Sequence, residues 1–239
     1  MRILAVDTST EVGAVGFLDT DSGAAGETNL AVSQTHSQRL LSSIDHLLNM
    51  LACGLSEIDV LGVSIGPGSF TGLRIGISIM QGLAMAQDRM LTPFSSLEAL
   101  ANNYAGSPHL VCPMIDARMG EVFTALFSFD GDKLLLEAHE RAAPPDEIVR
   151  LASERETIFL GDGANLYAQT ITNGMRAKYI IAPSHLSQPR GICAARIVAQ
   201  TARERGGVDP SKIRPKYLRK SNAELTRDSN MDAGSISPT

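Results

Sequence analysis

The sequence predicts an α/β protein built from two related lobes. Three observations carry this: strand-like apolar runs alternate with helical periodicity, an aspartate-tipped hairpin pattern occurs twice, and 44% hydrophobic residues are enough for a core behind each hairpin. The division falls near residues 104–109, giving lobes of 1–105 and 106–220. Residues 221–239, rich in Ser, Asp and Asn, are expected to be a poorly ordered tail unless a partner holds them.

In chain order, "RILAVDTS" reads as a buried strand ending at Asp7, Thr8 and Ser9, and "VGAVGFLD" as the strand that returns from it. Residues Glu27 to Val32 supply a third strand. From His36, the residues Leu40, Leu41, Ile44, Leu47, Leu48 and Leu51 recur at helical spacing with Gln38, Arg39, Asp45 and Asn49 between them, an amphipathic helix. Val60 to Ile65 is a strand, followed by the glycine-rich "GPGSFTG" and a helix capped by Ser69 or Thr71 and running to about Gln87. "TPFSSLEALANNYA" reads as a proline-led turn and a helix starting at Ser95 or Ser96, with Glu98 placed for a capping box.

"LVCPMIDARMGEVFTALFSF" then repeats the opening order of apolar strand, aspartate, turn, Glu-Val and apolar strand, setting Asp116 and Glu121 against Asp7 and Glu11. Either the lobes are duplicated or the pattern is merely that of any hairpin. "ETIFLGDGANLY" adds a strand, the turn Gly161-Asp162-Gly163 and a helix start. "RGICAARIVAQTARERG" is a long helix with Ile192, Ala195, Ile197, Val198 and Ala202 inward.

A net charge of -5 argues against strong autonomous nucleic-acid binding, which depends on clustered Lys and Arg. The longest nearly apolar span, Leu73 to Ala86, is interrupted by Arg74 and Gln81 and is shorter than the roughly 20 residues a bilayer requires. No export signal is expected, since the apolar run at Ile3 meets Asp7 too soon. Cys53, Cys112 and Cys193 are odd in number and far apart, which fits free thiols in a reducing cytoplasm.

The glycine string fails three catalytic templates. Gly68 to Gly72 is too short for a phosphate-binding Walker loop, and Leu73-Arg74 stands where Lys-Ser/Thr belongs. The dinucleotide pattern that starts at Gly66 and Gly68 meets Thr71 in place of its third glycine. A nucleophile elbow around Ser69 would need glycines at Pro67 and Thr71. A helix N-terminus after a glycine turn still suits an anion; equally, the glycines can serve backbone geometry alone. The following helix carries Leu73, Ile75, Ile77, Ile79, Met80, Leu83 and Met85 around its whole circumference, so either a second chain or its own lobe must cover every side.

The strings "AVDTS", "HSQRLL", "GPGSFTGLRIG", "DARMGEVF" and "GDG" resemble, in order and spacing, the TsaB (YeaZ-like) family of tRNA threonylcarbamoyladenosine biosynthesis. The resemblance covers about residues 1 to 220 and implies the two-lobed fold of the actin-like ATPase and acetate/sugar kinase superfamily, with duplicated ribonuclease H-like lobes. It also implies a vestigial nucleotide site at Asp7, Thr8, Ser9, Asp116, Arg118, Gly161, Asp162 and Gly163. The catalytic TsaD-like paralogue has a His-x-x-x-His metal motif, whereas no two of His36, His46, His109, His139 and His185 stand four apart. The implied role is therefore noncatalytic, with Asp7 a fold element rather than a metal ligand. The chain would pair with the TsaD-like subunit, work with a TsaE-like ATPase, form homodimers without its partner, and meet tRNA only through the complex. ATP or ADP and metal would reside on the partner subunits, and none is expected on this chain alone. The implied association surface is a four-helix pairing through Leu40, Leu41, Ile44, Leu47, Leu48, Leu51, Leu73, Arg74, Ile75, Ile77 and Met80. The rival reading is an autonomous ATP-dependent phosphotransferase; a peptidase is disfavoured by the failed elbow.

Among the remaining polar candidates, His36 and His46 read as surface or capping residues. Arg74 suits a partner carboxylate, a phosphate or a local ion pair, and Arg118 an approaching anion or a structural ion pair. The run "KIRPKYLRKS" reads as a solvated basic tail, or as a contact for tRNA or an acidic partner face.

Overall fold

The structure is a computed structural model that describes residues 1–31 and 36–219. Val32, Lys220 and the expected tail 221–239 lie outside the described residues. The first lobe opens with β1 (Arg2–Asp7), β2 (Val12–Asp19) and β3 (Ala25–Ala31), then α1 (His36–Met50), β4 (Val60–Ser64), α2 (Phe70–Ala86), β5 (Leu91–Phe94) and α3 (Ser96–Ala101). The second contains β6 (Leu110–Arg118), β7 (Glu121–Asp130), β8 (Lys133–Ala143), α4 (Pro145–Ala152), β9 (Thr157–Leu160), α5 (Asp162–Leu166), α6 (Ala168–Gly174) and β10 (Tyr179–Ile181). The helix α7 (Gly191–Arg205) follows.

The two sheets have one topology. The first runs β3-β2-β1-β4-β5, the second β8-β7-β6-β9-β10. In each, the opening three strands pair antiparallel and the last two join in parallel. That correspondence resolves the repeated hairpin as duplication, and the molecule has the two-lobed α/β fold the sequence predicts.

Strand alternation builds the cores. On β1, Leu4 and Val6 face α1 and α2, with Leu40, Ile44, Leu47, Leu48, Leu61, Val63, Ile77 and Met80 in one cluster. Ile3 and Ala5 face the other way, against Ala194, Ala195, Ile197 and Val198 of α7. Thus residues 191–205, within the stretch expected to form the second lobe, pack on the first sheet. Glu27 fastens the start of α7, accepting from Arg190 Nε at 3.0 Å and from the Ile192 amide at 3.1 Å. In the second lobe, Val111 and Ile115 of β6 face Leu97 and Leu100 of α3, while Cys112 and Met114 face α4, α5 and α6.

Two local readings are amended. "LTPF" is β5, parallel to β4, rather than a turn; it is an edge strand, where Pro93 needs no ladder donor. β8 and α4 occupy a stretch to which the sequence reading assigned no element. Ser95 does cap α3: its hydroxyl accepts from the Leu97 and Glu98 amides.

Candidate functional site

The two hairpins end in the same turn. Asp7 Oδ1 accepts from the Ser9 amide at 2.8 Å, and Asp116 Oδ1 from the Arg118 amide at 2.9 Å. Both lie at a cleft of about 670 Å³ between the lobes, lined by Ser9, Thr10 and Glu11, the Pro67–Phe70 loop, Asp116 to Arg118, Asp162, and Lys216 to Arg219. Asp7 and Thr8 are fully buried behind it. Asp162 bridges to the second hairpin, its Oδ1 accepting from the Asp116 amide at 3.1 Å and the Gly163 amide at 2.9 Å. Burial pushes the Asp162 carboxyl up, against the pull of those amides. Gly161 and Gly163 place that turn directly on the Met114 carbonyl of β6. The structure therefore gathers the predicted hairpin residues, with Asp7, Thr8, Gly161 and Gly163 supporting the cleft and Ser9, Asp116, Arg118 and Asp162 lining it.

The glycine string sets helix α2 against the first hairpin. A Cβ at Gly72 would lie 2.1 Å from the Thr8 carbonyl oxygen, and one at Gly76 would lie 2.2 Å from Thr8 Oγ1. Thr8 Oγ1 donates to the Gly72 carbonyl at 2.8 Å, the Ser69 amide donates to the Ser9 carbonyl at 2.6 Å, and the Gly72 amide donates to Ser69 Oγ. Two amides at this turn, those of Ser69 and Gly72, are thus used inside the chain. The Ser9 hydroxyl at the cleft is buried with no hydrogen-bond partner among the described residues.

Two of the cleft carboxylates are engaged within the chain. Asp116 pairs with Arg118 at 3.2 Å, and Asp162 is engaged by amides. Among the described residues no three His, Cys, Asp or Glu side chains converge on one point.

The expected association residues divide into two sets. Leu40, Ile44, Leu47, Leu48, Leu73, Ile77 and Met80 are buried within the chain, at 6% exposure or less. They pack on the sheet because the inner faces of α1 and α2 cover it, so they cannot themselves be partner contacts. Leu51 and Ile75 are half-buried, Leu41 is 48% exposed, and Arg74 is exposed. The outer face of α2 also presents Phe70, Ser78, Gly82 and Met85. Arg74 makes no ion pair among the described residues; its guanidinium stacks 3.8 Å from the Phe70 ring centroid and its Nε donates to the Tyr217 hydroxyl at 3.1 Å.

The basic run corrects its reading as a solvated tail. Ile213 is buried in the first core, Tyr217 stacks on Phe70 at 5.1 Å, Lys216 pairs with Glu140 at 2.7 Å, and Arg219 meets Glu121 at 3.4 Å. Sequence reasoning missed this docking. The signal was the alternation of Ile213, Pro215 and Tyr217 with the cations, which suits a segment with one covered side. No helix among the described residues is long and apolar enough to cross a membrane.

Comparison with known proteins places these features. The profile of the family described as "TsaD: tRNA N6-adenosine threonylcarbamoyltransferase" matches residues 30–226. The chain is 32% identical over 232 residues to the tRNA threonylcarbamoyladenosine biosynthesis protein TsaB of Bacillus subtilis, covering 94% of this chain and 96% of that one. It is 41% identical over 126 residues to the protein of that name from Haemophilus influenzae, 52% of each chain. The solved structure of YeaZ from Pseudomonas aeruginosa superposes with a TM-score of 0.79 at 28% identity, covering 91% of this chain and 99% of that one.

Proposed function

The chain belongs to the family of the tRNA threonylcarbamoyladenosine biosynthesis protein TsaB, and from that membership we propose that it is a noncatalytic scaffold subunit in tRNA modification. The reaction it supports is transfer of threonylcarbamoyl to N6 of the tRNA adenosine beside the anticodon. In this reading a TsaD-like paralogue performs the transfer, a TsaE-like ATPase joins the assembly, and ATP or ADP and metal are held on those partners. The tRNA is met through the assembly, and the chain alone forms homodimers.

One observation supports the noncatalytic part: several of the polar groups that could serve a reaction at the cleft are engaged by the fold. The Ser69 and Gly72 amides are bonded within the chain, Asp116 is held by Arg118, and Asp162 by two amides. The association surface is the outer face of α1 and α2, carrying Leu41, Arg74, Ile75, Ser78 and Met85. Small residues at Ser78 and Gly82 allow a facing helix to approach closely, while Leu41 and Met85 supply apolar area.

Sizing chromatography of the chain mixed with its TsaD-like partner tests this. A stable complex at micromolar concentration is expected; separate elution of two monodisperse proteins sinks the proposal. The buried Ser9 hydroxyl at the cleft favours a second reading, an ATP-dependent phosphotransferase. Sustained ATP turnover by the pure chain would establish that reading in place of the scaffold.

A further inference from the structure

We infer that residues Ile213–Arg219 form a strap that clamps the two lobes at one angle. The chain crosses from lobe to lobe within these seven residues. At its start it is bound to the first lobe. Ile213 is 4% exposed in the core under α2, Gln81 Nε2 donates to the carbonyls of Pro210 at 2.6 Å and Ile213 at 3.3 Å, and the Lys216 amide donates to the Ile65 carbonyl at 2.7 Å. The Tyr217 ring then lies on Phe70, the first residue of α2.

The side chains of the same segment reach the second lobe. Lys216 Nζ donates to Glu140 Oε2 of β8 at 2.7 Å, and Glu140, only 8% exposed, also receives the Ser95 hydroxyl from the lobe junction. Arg219 Nη1 donates to the Ala117 carbonyl at 3.2 Å and pairs with Glu121 at 3.4 Å, across the second hairpin. That hairpin is a place where a clamp matters, since Arg118 and Met119 stand at φ +63° and +55°, a conformation that side-chain-bearing residues seldom hold unaided.

Lys216 is the pivot: its backbone belongs to one lobe and its ammonium to the other. Opening the cleft would separate the Ile65 carbonyl from Glu140, and one lysine could follow only one of them. A further lobe connection is α3, whose Leu97 and Leu100 enter the second core while Ala99 enters the first. With α3 and the strap both engaged, hinge motion is suppressed, and the cleft keeps one width. This inference is intramolecular and stands whether or not the chain binds a partner.

The test is pulsed dipolar spectroscopy on nitroxides at Ser56→Cys and Leu151→Cys, exposed sites in separate lobes, in a Cys53→Ser background. The parent is expected to give a single narrow distance, and Lys216→Ala/Arg219→Ala a distribution about twofold broader or displaced. Lys216→Arg/Arg219→Lys is expected to keep the parent distance. Amide exchange at Met119 to Glu121 should quicken roughly tenfold in Arg219→Ala, which loses the contacts to Ala117, Met119 and Glu121. A broad distribution in the parent overturns the strap. So does an unchanged distance in the double variant with unchanged exchange in Arg219→Ala.

Discussion

The Thr8 hydroxyl donates to the Gly72 carbonyl across 2.8 Å, fixing the first turn of α2 to the tip of the first hairpin. The bond is buried and spans 64 residues, so it ties the glycine string to the duplicated element. Its geometry leaves no room beside it: a Cβ at Gly76 would stand 2.2 Å from the same hydroxyl.

Gly76→Ala therefore sets two effects against each other. Replacing a mid-helix glycine by alanine favours the helix by about 1 kcal/mol. Overpacking costs about 1–3 kcal/mol, and disturbing the buried Thr8 bond adds about 1 kcal/mol or more. Net destabilisation of about 1–3 kcal/mol is expected, read as a lower urea midpoint. Adding Thr8→Ala should recover part of the loss; a Gly76→Ala protein as stable as the parent would refute the close-packing role.

The inner and outer faces of α1 and α2 should separate stability from association. Ile77→Ala removes a side chain 4% exposed in the first core and is expected to cost about 2–5 kcal/mol of unfolding free energy. Leu41→Asp or Met85→Asp, on the outer face, should leave thermal stability within about 1 kcal/mol of the parent and weaken pairing with the TsaD-like partner at least about tenfold. Titration calorimetry alongside melting curves checks both, and an outer-face variant that pairs normally would move the surface elsewhere.

How much of this was legible in sequence depends on what each residue answers to. The α/β class, β1, β2 and the second hairpin follow from apolar runs that end at turn residues, buried on both faces, and α1 and α2 follow from helical spacing. The division of α2 into a buried and an exposed face does not follow, since Leu73 and Ile75 are equally apolar and only the sheet decides between them. β8 escaped because "KLLLEAHERAA" is rich in helix formers, and its strand geometry is imposed by pairing with β7. The docking of Lys216 and Arg219 escaped for a related reason: Glu140 and Glu121, their counter-charges, are distant in sequence.

The three thiols should titrate and react unequally. Burial pushes Cys112 up to about 12 and Cys193 up to about 11, while Cys53 is only partly covered and is raised less. Alkylation of the native protein near pH 8 is expected at Cys53 first, with Cys112 reacting only on unfolding. Because the folded values lie above the unfolded one near 9, the protonated thiols favour the fold below pH 9. That contribution declines as pH rises from about 9 toward 12. Mass-mapped labelling and alkaline denaturation measure the two halves, and rapid native labelling of Cys112 would contradict its burial.

Glu98 offers a test in the opposite direction, since its charge opposes the fold. Burial raises its carboxyl above the ordinary range, and the nearby Glu140 raises it further, while the Ser95 amide and Lys216 pull it back. A carboxyl raised in the folded state favours folding while protonated, and the advantage is lost as pH climbs past its unfolded value. Glu98→Gln keeps an oxygen to accept the Ser95 amide and removes the charge. The variant should therefore be more stable than the parent at neutral pH, and the difference should shrink as pH falls below the carboxyl range. Paired urea titrations at pH 7.5 and about pH 4 decide it. A Gln variant that is less stable at both would mean that the charged form of Glu98 is held by stronger contacts than Ser95 and Lys216 provide.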